Sequence, residues 1–105
     1  MPRQTHEASL RKALARYRPS RAYLFGSRTR GDADAESDID LLLIKETSQP
    51  FLERLKEFAL LLPKDLPRVD AFIYTPEEFE TMQERENPLV MRALREGTLL
   101  YEASH

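Results

Sequence analysis

The stretch Asp38-Ile39-Asp40-Leu41-Leu42-Leu43-Ile44 constrains the fold more than any other part of the chain. Its positions are apolar throughout after Asp40, as expected of a central strand covered on both faces. Side chains alternate along a strand, so Asp38 and Asp40 project from one face and Ile39 from the other. Two carboxylates so placed can grip one cation. An earlier run, Arg21 to Phe25, also has strand character and stops abruptly at Gly26-Ser27, a turn whose backbone N–H groups can face an anion. Ser27 to Arg30 can make a short helical turn, and Gly31 to Ser37 is too small and polar for a core, so it reads as a surface loop.

The other elements follow from periodicity and punctuation. Leu10, Ala13, Leu14 and Tyr17 recur at helical spacing between Glu7 and Tyr17, and Pro19 cannot continue that helix. Phe51, Leu52, Leu55, Phe58, Ala59 and Leu62 form an amphipathic helix of roughly a dozen residues, with Thr47-Ser48 to cap it, Pro50 in its first turn and Pro63 to stop it. That length suits a crossover packed on the sheet. Arg68 to Tyr74 is a further strand, core-like except for Asp70 near its start, and a carboxylate there calls for a partner. Thr75-Pro76-Glu77-Glu78 has the form of a capping box, and Asn87-Pro88 starts a last helix that Gly97 ends. Thr98 to Tyr101 forms a short final strand.

At 105 residues the chain is expected to be one domain, residues 1–105, with one apolar core and no separate substrate domain. Its 16 basic and 18 acidic residues give a net charge of −2, so no global field draws it to nucleic acid or anionic membrane. Any affinity for phosphate must be local. With no cysteine there is no disulfide and no thiolate metal site, and MPRQTHEAS holds no apolar signal segment, so a cytoplasmic location is expected. No apolar run approaches the roughly 20 residues of a membrane span. His6 and His105 are isolated and read as neither ligands nor bases.

Taken singly, the candidate functional features are ordinary. A Gly-Ser after a strand is usually just a turn, an Asp-x-Asp at a strand edge is usually solvated, and Asp70 could simply pair with Arg68. Their order and spacing are not ordinary. Gly26-Ser27, then ten residues, then Asp38-Ile39-Asp40, with Asp70 on a later strand, resembles the signature of the DNA polymerase beta-like nucleotidyltransferase superfamily. Within it, GSRTRGDADAESDIDLLL and the short length resemble the minimal nucleotidyltransferase (MNT) family.

That resemblance implies an α+β fold, a small mixed β-sheet with helices packed mainly on one face. It implies transfer of a nucleoside monophosphate, commonly AMP from ATP, to an acceptor hydroxyl. Gly26 and Ser27 would hold the triphosphate, while Asp38, Asp40 and Asp70 would be catalytic and would hold Mg²⁺, with two ions expected. Arg28 and Arg30 are candidate phosphate clamps, or else solvated charges pairing with Asp32 or Asp34. With no room for an acceptor domain, the acceptor should lie on a partner, and the family implies a helical HEPN-type toxin for which this chain would be the antitoxin. Two alternatives are a non-catalytic nucleotide-binding module that neutralises its partner, and a small-molecule, aminoglycoside-type transferase acting as a homodimer.

Overall fold

A computed structural model gives the fold and describes residues 2–25, 39–64, 66 and 69–103, leaving aside the side chains of residues 2–6. Strands β1 (Arg21–Phe25), β2 (Ile39–Ile44), β3 (Val69–Tyr74) and β4 (Thr98–Glu102) form one sheet in the order β3-β2-β1-β4. β1 pairs antiparallel with β2 and β4, and β2 pairs parallel with β3, so the sheet is mixed as expected. Leu41, Leu42 and Leu43 of β2 are wholly buried. Each such leucine contributes roughly 1.5–3 kcal/mol, which only cover on both faces can supply at three consecutive positions.

That requirement corrects one expectation. The helices are not gathered mainly on one face. Ile39, Leu41 and Leu43 join Leu10, Leu14 and Tyr17 of α1 (Pro2–Tyr17) and Phe58 of α2 (Phe51–Ala59). Leu42 and Ile44 join Phe79 of α3 (Pro76–Glu84) and Val90 and Ala93 of α4 (Pro88–Glu96). Two of the described helices therefore cover each side, because a strand apolar at successive positions buries itself only between two layers.

Local chemistry sets the ends of these elements. α1 stops at Tyr17, where Arg18 turns left-handed (φ 61°) and donates its N–H to the Leu14 carbonyl at 2.7 Å. Lys45, just past β2, donates to the Tyr17 carbonyl and sits 4.0 Å from the centroid of the Tyr17 ring. One cation thus serves a helix C-terminus and an aromatic face together. Burial pushes the Tyr17 phenol up to about 12. α2 starts at Pro50 without a side-chain cap, since Thr47 Oγ1 accepts instead from the Gln49 N–H at 3.1 Å. It is also shorter than expected. Leu61 and Leu62 donate to the carbonyls of Phe58 and Ala59, three residues back, which tightens the chain out of the α-helix. The capping box of α3 forms as its sequence indicates, Thr75 and Glu78 bonding reciprocally at 2.9 and 3.1 Å. At the start of α4, Asn87 Oδ1 accepts from the N–H groups of Leu89 and Val90.

Glu78 has a second role that no local pattern indicates. Its two carboxylate oxygens accept from Nη1 and Nη2 of Arg54 at 2.8 and 3.2 Å, across the gap between α2 and α3. The Arg54 side chain is only 7% exposed, so its charge depends on these bonds. Arg54 Nε also donates to the Gln49 carbonyl, and Nη1 to that of Ile73.

The Arg54 guanidinium beside it holds the Glu78 carboxyl below its ordinary value. The stabilisation is then complete above the unfolded carboxyl's pKa and is lost as pH falls through the lower folded value. Thermal melts of wild type and Glu78→Gln should accordingly differ most near neutrality and converge only in acid, as pH falls below the ordinary carboxylate range. At Gly97, an added Cβ would lie 2.3 Å from the Ala93 carbonyl oxygen and 3.2 Å from that of Leu24. Gly97 is extended there (φ −78°), so glycine is required by close approach rather than by a left-handed turn. Gly97→Ala should lower stability by about 1–3 kcal/mol in urea unfolding.

Candidate active site

The strand pairings bring the chemistry to one end of the sheet. Phe25, the last residue of β1, lies opposite Asp40 of β2, and Asp40 lies opposite Asp70 of β3. The end of β1 and the starts of β2 and β3 therefore stand level. Neighbouring strands lie about 4.8 Å apart, and residues in register share a face, so the two carboxylates start from adjacent positions on one surface. Both residues are half-buried.

The residues beyond each aspartate set that face. Leu42 and Ile44 continue along β2, and Phe72 and Tyr74 along β3, into the core beneath α3 and α4. Asp40 and Asp70 stand at the margin of that apolar layer. Two carboxylates on neighbouring positions of one surface are suited to holding a cation. Among the described residues, no group of three or more Asp, Glu or His could hold a metal. Asp38, the third carboxylate expected, lies outside the described residues, as do Gly26, Ser27, Arg28 and Arg30. What the fold does place is the point of departure: the chain leaves β1 at Phe25 and re-enters at Ile39, beside Asp40.

Two features of β3 and the helix α2 beside it were not read from the sequence. Asp70 lines a groove of about 350 Å³ between β3 and α2, whose other walls include Leu55, Phe58, Leu62, Val69 and Phe72. The groove depends on how α2 lies against the sheet edge, which no local pattern encodes. The second is Arg54. It stands between Phe51 and Phe58 at helical spacing, inside the apolar stripe of α2, and a cation in that position was the available signal.

Comparison with known proteins agrees with this geometry. The family model described as polymerase beta nucleotidyltransferase matches residues 8–105. Among solved structures, a protein provisionally assigned as a minimal nucleotidyltransferase is 31% identical, with TM-score 0.56, and the match covers 91% of this chain and 89% of that one. A provisionally assigned nucleotidyltransferase from Sulfolobus solfataricus shares the fold at TM-score 0.64 and 18% identity, covering 96% of this chain and 84% of that one. A toxin–antitoxin structure with AMP-PNP does so at TM-score 0.62 and 21% identity, covering 93% and 74% respectively. No curated protein matches significantly. With the family model matching nearly the whole sequence and Asp40 standing level with Asp70 at the sheet end, the chain belongs to the polymerase beta-like nucleotidyltransferase family.

Proposed function

We propose that this chain is a Mg²⁺-dependent nucleotidyltransferase that moves AMP from ATP to a hydroxyl on a partner protein, acting as the antitoxin of a HEPN-type toxin. The observation that carries the reading is the register of Asp40 with Asp70, beside the strand end that leads into Gly26-Ser27. The family match supports nucleotidyl transfer. The choice of a protein acceptor is motivated by the likeness in fold to a toxin–antitoxin structure with AMP-PNP.

The donor set fits a hard divalent cation. Asp40 and Asp70 offer carboxylate oxygens from adjacent strands, and Asp38, two residues before Asp40, would add a third. Bound there, Mg²⁺ would neutralise charge on the triphosphate and on the oxygens that attack and leave. The chain's own residues divide the remaining work. Gly26 lets the backbone approach the triphosphate, and Ser27 supplies a hydroxyl and an N–H to its outer phosphates. Arg28 and Arg30 follow Gly26-Ser27 in the sequence and would clamp phosphate oxygens through their guanidinium forks. Asp70 accepts the proton of the acceptor hydroxyl as its oxygen bonds to the α-phosphorus. The bond from that phosphorus to the bridging oxygen breaks, and pyrophosphate leaves with the electron pair.

Incubation with MgATP and a HEPN-type helical protein, followed by intact-mass measurement, tests the proposal. The partner should gain one or more nucleoside monophosphates. Asp40→Asn and Asp70→Asn should each slow that gain about 100-fold or more while their circular dichroism matches wild type. Full neutralisation of the partner by both variants would favour binding without catalysis, and a mass gain on a free aminoglycoside would favour the small-molecule reading. In a separate thermal-shift measurement, MgATP should raise the wild-type melting temperature, and EDTA or Asp40→Asn should remove most of the rise.

A further inference from the structure

We propose that Arg54 is a positioning residue, whose guanidinium fixes the edge strand β3 along its own axis and so keeps Asp70 level with Asp40. The inference rests on the nucleotidyl-transfer reading for its functional consequence, and on hydrogen bonds alone for its structural part. Among the described residues, β3 has one strand neighbour, β2, and ends the sheet. Carbonyls of successive strand residues point to opposite flanks. That of Tyr74 faces inward and accepts from the Lys45 N–H at 2.9 Å. That of Ile73 faces the outer flank and accepts from Arg54 Nη1 at 3.0 Å. Arg54 thus supplies a bond on the side of β3 where no described strand pairs.

The bond is anchored at its other end. Arg54 Nε donates to the Gln49 carbonyl at 2.8 Å, and the guanidinium forks onto Glu78, which also accepts from the Thr75 N–H at 2.9 Å. One planar group therefore ties the approach to α2, the end of β3 and the start of α3. Ile73 is three residues from Asp70, about 10 Å along a strand that transmits axial displacement. A slip of one residue would carry Asp70 to the opposite face, and a displacement near 1 Å at a reacting group can cost about 100-fold in rate. A lysine cannot reproduce the arrangement, because one ammonium cannot present donors along the three directions that Arg54 serves.

Arg54→Lys, with the milder Glu78→Gln as the second variant, tests this by two measurements. The first is amide hydrogen exchange. In Arg54→Lys the inward amides of Asp70 and Phe72 should exchange about tenfold faster, with little change at Ala22 and Leu100 in β1 and β4. The second is Mn²⁺ binding in the presence of a non-hydrolysable ATP analogue. The Mn²⁺ lost in Asp70→Asn should bind about tenfold more weakly in Arg54→Lys, and the analogue's own affinity should hold. Glu78→Gln should move both readouts in the same direction and by less. If Arg54→Lys does not fold, Glu78→Gln decides. Unchanged β3 amides, or equal acceleration in all four strands, would overturn the proposal, as would equal weakening of every Mn²⁺. A wild type that takes up no Mn²⁺ with the analogue would remove the catalytic reading, and the exchange pattern would still decide the role of Arg54.

Discussion

The parallel pairing of β2 with β3 is the constraint on which the rest of this structure depends. It makes the buried leucines of β2 the centre of a mixed sheet, and it sets Asp40 opposite Asp70. Parallel neighbours cannot be joined by a tight turn, so the chain must leave the sheet and return, and α2 is the element that does so. The antiparallel pairing of β1 with β2 acts at the same end, placing Phe25 beside Asp40. Fold and candidate site are therefore two consequences of one set of backbone hydrogen bonds.

Charged groups then refine what apolar burial begins. Lys45 binds the last carbonyl of α1 and lies over the Tyr17 ring, joining the exit of β2 to the helix on one face. Arg54 joins that layer to the other one, binding Gln49, Ile73 and, in α3, Glu78 from within the apolar stripe of α2. Neither cation is a surface decoration. A buried guanidinium without acceptors would be strongly destabilising, so geometry around Arg54 is held closely wherever the fold persists. That rigidity lies beside the edge strand, where sheet pairing alone is weakest.

Much of the local structure was legible because its causes are local. β1 runs from Arg21 to Phe25 as the sequence indicates, and Thr75 with Glu78 closes a capping box whose two partners lie within a single helical turn. The exceptions have identifiable causes. Thr47 spends its hydroxyl on the Gln49 N–H, a nearer donor than any in α2. Helices on both faces result from the unbroken apolar run of β2, which the reading of that strand already required and the expected one-sided packing contradicted.

The sequence by itself determined the residue types and their order: an Asp-x-Asp leading into a buried strand, a Gly-Ser at the end of an earlier strand, and a later strand carrying Asp70. These are short-range properties, written in periodicity and turn chemistry. Only the tertiary structure decided that Asp70 stands level with Asp40, that α2 leaves a groove beside it, and that Arg54 reaches Ile73 and Glu78. Strand register and helix placement are fixed by contacts between residues far apart in the chain, and periodicity within a segment carries no information about its partner.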